Sequence, residues 1–111
     1  RFEECNDFLL SVQFYNCNLD LASFYQVGLK DTLFSDCSLV ETDFTETDLT
    51  SARLLNCNLE RTIFLQTILV DADLSTSFNY TIDPEKNQLK RAKFSKNGLF
   101  GLLKKYEIKI V

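Results

Sequence analysis

Residues 42–61 read TDFTE-TDLTS-ARLLN-CNLER, four consecutive pentapeptides with Phe or Leu at the third position. The same pattern continues on both sides and makes thirteen unbroken pentapeptides between Val12 and Thr76. Neither an α-helix nor an amphipathic strand has a period of five residues, so the repeat predicts a solenoid. If three residues run extended and two turn a corner, the first and third residues of each pentapeptide point inward.

The cysteines indicate how many pentapeptides make one coil. Cys17, Cys37 and Cys57 recur every twenty residues, which favours four sides per coil. Neighbouring coils are then expected about 4.8 Å apart, joined by parallel backbone hydrogen bonds. The predicted core ladder consists of Phe14, Leu19, Phe24, Leu29, Phe34, Leu39, Phe44, Leu49, Leu54, Leu59, Phe64, Leu69, Leu74, Leu89 and Phe94, together with Cys17, Cys37 and Cys57.

Both ends of the repeat are less regular. Leu89 and Phe94 keep the five-residue register, so the sequence predicts a β-helix over residues 1–96 that is irregular at 1–11 and 77–86. About four full coils follow from this length, with an irregular N-terminal part-coil, and we expect upstream coils in the complete protein. Residues 97–111 are predicted to form a capping helix and a terminal strand. The candidate cap or dimer contacts there are Leu99, Phe100, Leu102, Leu103, Tyr106, Ile108 and Ile110.

Charge is unevenly distributed along the chain. Residues 1–75 hold thirteen acidic and four basic side chains, a net charge of −9, whereas residues 76–111 hold three acidic and eight basic ones, a net charge of +5. The acidic part should repel nucleic acid, so direct binding through Lys86–Lys96 is the least favoured of the functions considered. No apolar stretch approaches the roughly 20 residues that a membrane helix needs.

The repeats resemble those of the pentapeptide repeat family. Cys17-Asn18-Leu19, Thr47-Asp48-Leu49 and Ala72-Asp73-Leu74 are among the clearest matches to its A(D/N)LXX pattern. The resemblance implies a right-handed quadrilateral parallel β-helix. The segment from Asn79 to Asn87, followed by Ala92-Lys93-Phe94-Ser95, looks like the end of bacterial cytoplasmic members similar to the Qnr-type quinolone-resistance and the microcin-immunity proteins. For such members the family implies protection of DNA gyrase by imitation of duplex DNA, and a homodimer formed through the C-terminal segment.

The residue types argue against catalysis and against a cofactor. The chain has no His, which removes a His-based triad or general base, and its carboxylates are expected to lie outward on all four sides. Four cysteines, at positions 5, 17, 37 and 57, contain no CxxC pair. We therefore predict packed, reduced thiols rather than a metal site. The coil spacing would allow a disulfide in principle, but an inward ladder of three cysteines argues against one.

Two outward surfaces are candidate sites for a protein partner, and we expect the protein to be cytoplasmic. The leading hypothesis is a DNA-mimic binder of a type II topoisomerase, and the alternative is a rigid adaptor scaffold for an unrelated protein. An apolar island with polar neighbours indicates a contact site, unless Asp83–Lys90 or the terminal helix folds over it. The candidate acidic surface comprises Asp31, Asp43, Glu46, Asp48, Asp71 and Asp73, and the candidate apolar patch comprises Ile63, Leu65, Ile68 and Val70.

Overall fold

The computed structural model describes the backbone of residues 5–9 and all of residues 13–111. Its longest regular segments are β1 (Cys5–Leu9), β2 (Gln13–Cys17), β3 (Leu33–Ser35) and β4 (Arg53–Leu55). They form one sheet in the order β1-β2-β3-β4, in which only β1 and β2 pair antiparallel. Phe14 lies opposite Phe34, and Phe34 opposite Leu54, so parallel neighbours are twenty residues apart.

The other pentapeptides stack with the same spacing. Isolated parallel bridges link Asn18 to Ser38, Ser38 to Asn58 and Asn58 to Phe78. The backbone N–H of Leu19 donates to the Ser38 carbonyl at 2.8 Å, and similar bonds recur along the stack. We number four faces by their stacked pentapeptides: face 1 is 17–21, 37–41, 57–61 and 77–81; face 2 is 22–26, 42–46, 62–66 and 82–86; face 3 is 27–31, 47–51, 67–71 and 87–91; face 4 is 13–16, 32–36, 52–56, 72–76 and 92–96.

The corners between faces have an unusual backbone conformation. The fifth residue of every pentapeptide from Asn16 to Asp71 has a positive φ, between 52° and 65°, although none of them is glycine. The next N–H closes a turn onto the central residue, as Val27 does onto the Phe24 carbonyl at 2.9 Å. A positive φ at the third residue of such a turn is the type II pattern. Because each left-handed residue costs about 1–2 kcal/mol, packing of the inward side chains must sustain the corners.

Aromatic rings form two stacked columns in the core. Phe24 and Phe44 have ring centroids 5.3 Å apart, and the Phe44 and Phe64 centroids are 5.6 Å apart. The rings of Phe14 and Phe34 stack at 4.9 Å and meet the first column edge-on. Of the other predicted ladder residues, Leu29, Leu89 and Phe94 are only partly buried, and the following are buried: Leu19, Leu39, Leu49, Leu54, Leu59, Leu69, Leu74, Cys17, Cys37 and Cys57.

Buried hydroxyl groups connect successive turns of the solenoid. The Thr47 Oγ1 hydroxyl donates to the Phe24 carbonyl at 2.6 Å, and the Thr67 hydroxyl to the Phe44 carbonyl at 2.7 Å. Thr42 and Thr62 make the equivalent bonds, always to the residue 23 positions earlier. The small inward residue therefore both packs in the core and binds the preceding turn, and the sequence pattern revealed only the packing.

The cysteines differ from the prediction at one position. Cys17 is disulfide-bonded, whereas Cys37 and Cys57 are free and buried. The expectation of reduced thiols throughout was therefore wrong for Cys17. The antiparallel register sets Cys5 opposite Cys17 in the backbone, a neighbour that an argument based on twenty-residue spacing does not include. The Cys57 thiol donates to the Phe34 carbonyl at 3.4 Å, which is the role that threonine has elsewhere.

The C-terminal segment also departs from the prediction. Where a capping helix and a terminal strand were predicted, it forms two short 3₁₀ helices, Leu99–Leu102 and Lys104–Tyr106, and residues 108–111 form no strand. Tyr80 and Ile82 are buried and fill the end of the core, with the Tyr80 ring 5.5 Å from that of Phe94. A terminal strand needs a neighbouring edge, and residues 108–111 have none among the described residues.

Candidate interaction surfaces

Three of the six predicted acidic residues are used to hold turns. The Oδ1 atoms of Asp43, Asp48 and Asp73 accept the backbone N–H two residues later, at 2.8, 3.0 and 2.9 Å. Asp73 is partly buried, which opposes ionisation, but hydrogen bonds from Ser75 and the nearby charges of Lys93 and Arg53 lower its pKa overall. These carboxylates are thus structural groups that still carry a negative charge at the surface.

The other three acidic residues are exposed and differ in their partners. Asp71 pairs with Arg91 through distances of 2.7 and 3.1 Å, and the hydrogen bond from that guanidinium lowers the pKa of Asp71. Glu46 accepts a hydrogen bond from the Gln26 amide at 3.0 Å. Asp31 has no side-chain partner within residues 13–111. The structure divides the six between faces 2, 3 and 4 and does not bring them into one cluster.

When ion pairs are taken into account, the first turns of the solenoid carry the most unpaired negative charge. Within the described part of the chain, Arg61 pairs with Glu41 and Glu60, Arg91 with Asp71, and Lys105 with Asp83 and Glu85. Residues 13–56 carry seven acidic and two basic side chains, a net charge of −5. Most of the uncompensated negative charge therefore precedes the apolar patch.

The apolar patch lies outward on faces 2 and 3. Ile63 is 46% exposed and Leu65 is 41% exposed, while Ile68 and Val70 are half-buried. Asp43 forms the bridge that precedes Ile63, so a carboxylate adjoins the island directly. Beside Leu65 an open groove of about 600 Å³ runs along Gln66 and residues 85–88. Neither residues 83–90 nor the 3₁₀ helices cover Ile63 and Leu65, so the patch remains accessible in the single chain.

The predicted cap residues fall into two groups. Leu102 packs against the core and Leu103 is half-buried. The more exposed group comprises Leu99, Phe100, Tyr106, Ile108 and Ile110. All of them except Tyr106 line an open apolar groove, together with Lys96 and Lys109. Sequence reasoning missed Tyr80, whose buried hydroxyl has no hydrogen-bond partner among the described residues. A Cβ at Gly98 would collide with the Tyr80 hydroxyl and ring, and a Cβ at Gly101 would collide with the Tyr80 backbone carbonyl.

The described residues offer little for metal chemistry. Among them, no group of three or more His, Cys, Asp or Glu side chains could hold a metal ion. The pKa of the Cys57 thiol is raised, because it interacts with Cys37 and is desolvated by burial. A protonated, buried thiol is a poor nucleophile and a poor metal ligand. Within the same residues, no helix is long and apolar enough to cross a bilayer.

Solved structures share this architecture at low sequence identity. QnrB1, a plasmid-mediated fluoroquinolone resistance protein, matches 94% of this chain with a TM-score of 0.70 and 16% identity. HetL from the cyanobacterium Nostoc, a protein involved in the regulation of heterocyst differentiation, matches 74% with a TM-score of 0.60 and 20% identity. The matched regions span 51% of the QnrB1 chain and 36% of the HetL chain.

Sequence comparison agrees with the structural matches. No curated protein sequence was found to match this chain. The family model for the pentapeptide repeat region, however, matches residues 9–101, which is most of the chain. Members of this family fold as right-handed β-helices and are typically non-catalytic. The stacked parallel bridges of this chain agree with a β-helix. The resemblance inferred from the repeats is thus confirmed, and the chain belongs to the pentapeptide repeat family.

Proposed function

We propose that this protein is a non-catalytic, cytoplasmic binder of a type II topoisomerase such as DNA gyrase. In this function the acidic part of the solenoid takes the place of duplex DNA on the enzyme and protects it from quinolone or microcin-like inhibitors. The shared fold with QnrB1, a fluoroquinolone resistance protein, supports the proposal at the level of architecture.

The observation that carries the proposal is the charge density of residues 13–56. These 44 residues make just over two turns of twenty, a rod about 10 Å long at a strand spacing of about 4.8 Å. Duplex DNA places one charge per about 1.7 Å of its axis, so the same length of DNA carries about six. The net charge of −5 on residues 13–56 is close to that value.

The test is a supercoiling assay with purified gyrase, a quinolone and increasing concentrations of this protein. The decisive variant is Asp43→Asn/Glu46→Gln/Asp48→Asn. It removes three charges, but its amide oxygens can still accept the hydrogen bonds of Thr45, Thr50 and Gln26. We expect the wild-type protein to restore supercoiling and the variant to need at least about tenfold more protein.

A matched control distinguishes the effect of these three charges from the effect of the total charge of the protein. Glu41→Gln/Glu60→Gln/Asp71→Asn also removes three negative charges, but from residues that are paired with Arg61 or Arg91. This variant should protect gyrase nearly as well as the wild type. If micromolar wild-type protein neither inhibits nor rescues gyrase, the topoisomerase proposal is wrong.

A second candidate function is an adaptor that binds an unrelated protein. The exposed Ile63 and Leu65 favour it, because imitation of a phosphate backbone does not require an apolar surface. Ile63→Asp/Leu65→Asp distinguishes the two candidates. An adaptor that uses the patch loses its partner in this variant, whereas a DNA mimic that binds through residues 13–56 still protects gyrase.

A further inference from the structure

The charges on either side of the apolar patch differ in sign. On faces 2 and 3, the turn before the patch, residues 42–51, holds three acidic side chains and no basic one, a net charge of −3. The turn after it, residues 82–91 with the ion-paired Lys105, holds two acidic and four basic side chains, a net charge of +2. Arg91 is already paired with Asp71, and this turn remains positive without it. We call these two segments the acidic border and the basic border.

Two opposite charges lie at the same corner of the solenoid, one in each border. Glu46, Gln66 and Lys86 occupy the corner between faces 2 and 3 in successive turns, and the Gln66 N–H donates to the Lys86 carbonyl at 2.8 Å. All three side chains are exposed. Glu46 accepts a hydrogen bond from the Gln26 amide, but within residues 13–111 neither Glu46 nor Lys86 has an ion-pair partner. Both charges are therefore available to a second molecule.

This order of charges makes the surface complementary to itself in one orientation. When two copies lie antiparallel about a two-fold axis through the patch, the acidic border of each copy meets the basic border of the other, and every contact occurs twice. In the parallel orientation, like charges meet at both borders. Because like charges across an interface are unfavourable and opposite charges fix its orientation, the surface favours the antiparallel pairing.

We propose that two copies of this chain associate side by side and antiparallel through faces 2 and 3 of the solenoid. Ile63 and Leu65 of one copy pack on the same residues of the other. Glu46 of each copy forms an ion pair with Lys86 of the other. Burial of the exposed apolar residues stabilises the pair, and the charges of the two borders determine its orientation.

This contact is distinct from a homodimer through the C-terminal segment. It is centred on residues 62–71, in the third of the stacked turns, and it does not use residues 106–111. The two borders and the turn between them span only about 14 Å of the rod at the usual strand spacing. The interface is therefore smaller than the roughly 800 Å² per partner of a standard one, and we expect a dissociation constant on the order of micromolar. Because its ion pairs are solvent-exposed, dissociation should increase with salt concentration.

Sedimentation analysis of the full chain from about 5 to 200 µM tests the proposal. Ile63→Asp/Leu65→Asp should raise the dissociation constant by at least about tenfold, because it places charges at the centre of the contact. Phe78→Asp is the matched control, because Phe78 is 48% exposed but lies on face 1. Ile108→Asp/Ile110→Asp is a second control, and both controls should leave the dissociation constant unchanged. Circular dichroism and unfolding curves of each variant distinguish loss of the dimer from loss of the fold.

An exchange of charges tests the antiparallel orientation. Glu46→Lys and Lys86→Glu each place like charges at both equivalent contacts, and each should raise the dissociation constant by at least about tenfold. In a mixture of the two variants, opposite charges meet again at both contacts. Fluorescence energy transfer between the labelled variants should therefore appear only in the mixture. The double variant Glu46→Lys/Lys86→Glu should dimerise as the wild type does.

Three outcomes would overturn the proposal. They are a wild-type chain that stays monomeric up to about 200 µM, a dimer that both single charge variants leave unchanged, and a dimer that is lost in Ile108→Asp/Ile110→Asp but kept in Ile63→Asp/Leu65→Asp. None of them decides whether the protein protects gyrase, because that is measured as supercoiling activity in the presence of the enzyme.

Discussion

Residues 13–76 and residues 77–111 continue one register, but they fill the core in different ways. In the first region Phe or Leu occupies the centre of every pentapeptide, and the corner residue has a positive φ up to Asp71. In the second region the register puts Asn79 and Pro84 at the central positions, and Tyr80 and Ile82 are buried instead. The comparison indicates that the solenoid tolerates a local change of core residue as long as the backbone bonds between turns continue.

The internal hydrogen bonds cross the boundary between the two regions. Ser77 donates to the Leu54 carbonyl, as the inward threonines do 23 residues from their acceptors. Asn87 takes the same place on face 3, where its amide donates to the Phe64 carbonyl at 3.1 Å and accepts the Thr67 N–H at 2.9 Å. A polar inward group thus helps to align successive turns where the aromatic column has ended.

The first prediction concerns a substitution at the centre of the regular region. Phe44 is fully buried and stacks on Phe24 and Phe64. Phe44→Ala should lower the free energy of unfolding by about 3–5 kcal/mol, because it leaves a cavity within a rigid column. Phe94→Ala removes a partly buried ring from the second region and should cost roughly half as much or less. Urea unfolding of both variants measures the difference. Equal losses of stability would contradict the view that the two regions fill the core in different ways.

The second prediction addresses the close packing at the end of the core. Gly101→Ala brings a Cβ into the Tyr80 backbone carbonyl, and it should destabilise the protein by roughly 1–3 kcal/mol. Hydrogen exchange should show that the loss is concentrated in residues 77–106, since the regular turns do not depend on this contact.

A conservative change at the same place is the matched control. The Tyr80 hydroxyl is buried without a partner among the described residues, so Tyr80→Phe should leave stability unchanged or raise it by about 1 kcal/mol. A clear loss of stability in Tyr80→Phe would show that this hydroxyl has a role in the folded protein that the contacts described here do not explain.

The sequence predicted the repeating part of the structure better than its interruptions. A period of five, with small residues two positions before each Phe or Leu, is enough to assign inward positions such as Phe24 and Phe44. The positive φ of Leu21 or Arg61 could not be read from those residue types, because the turn imposes it on whatever residue stands there. The disulfide of Cys17 was missed because β1 pairs antiparallel, which a pattern of stacked parallel coils does not predict.

The sequence predicted where the residues of the candidate surfaces lie, but it did not predict which hydrogen bonds and ion pairs they form. Outward placement of Ile63 and Asp43 followed from the register. That Asp43, Asp48 and Asp73 hold turns depends on a backbone N–H two residues later, which becomes available only in the folded corner. The pairing of Lys105 with face 2 depends on the path of the 3₁₀ helices, and no repeat specifies that path.

The third prediction tests the internal hydrogen bonds, and its effect is the smallest. Thr47→Val keeps the shape of the side chain but removes the donor to the Phe24 carbonyl. That carbonyl also accepts the Val27 N–H at 2.9 Å, so it is not left without a partner. We therefore expect a loss of about 0.5–1.5 kcal/mol in the free energy of unfolding, the range for one net hydrogen bond. Thr47→Ser keeps the donor and loses one methyl group.

The two substitutions at Thr47 distinguish bonding from packing. If the hydroxyl aligns the turns, the serine variant should retain the hydrogen bond, and the valine variant should show faster exchange of the two amides that follow Thr47, those of Asp48 and Leu49. Thr81→Val is the control, because Thr81 is exposed on face 1 and the change there should be close to neutral. A valine variant as stable as the wild type would mean that the hydroxyl groups of the inward threonines add nothing to stability and that these residues act by packing alone.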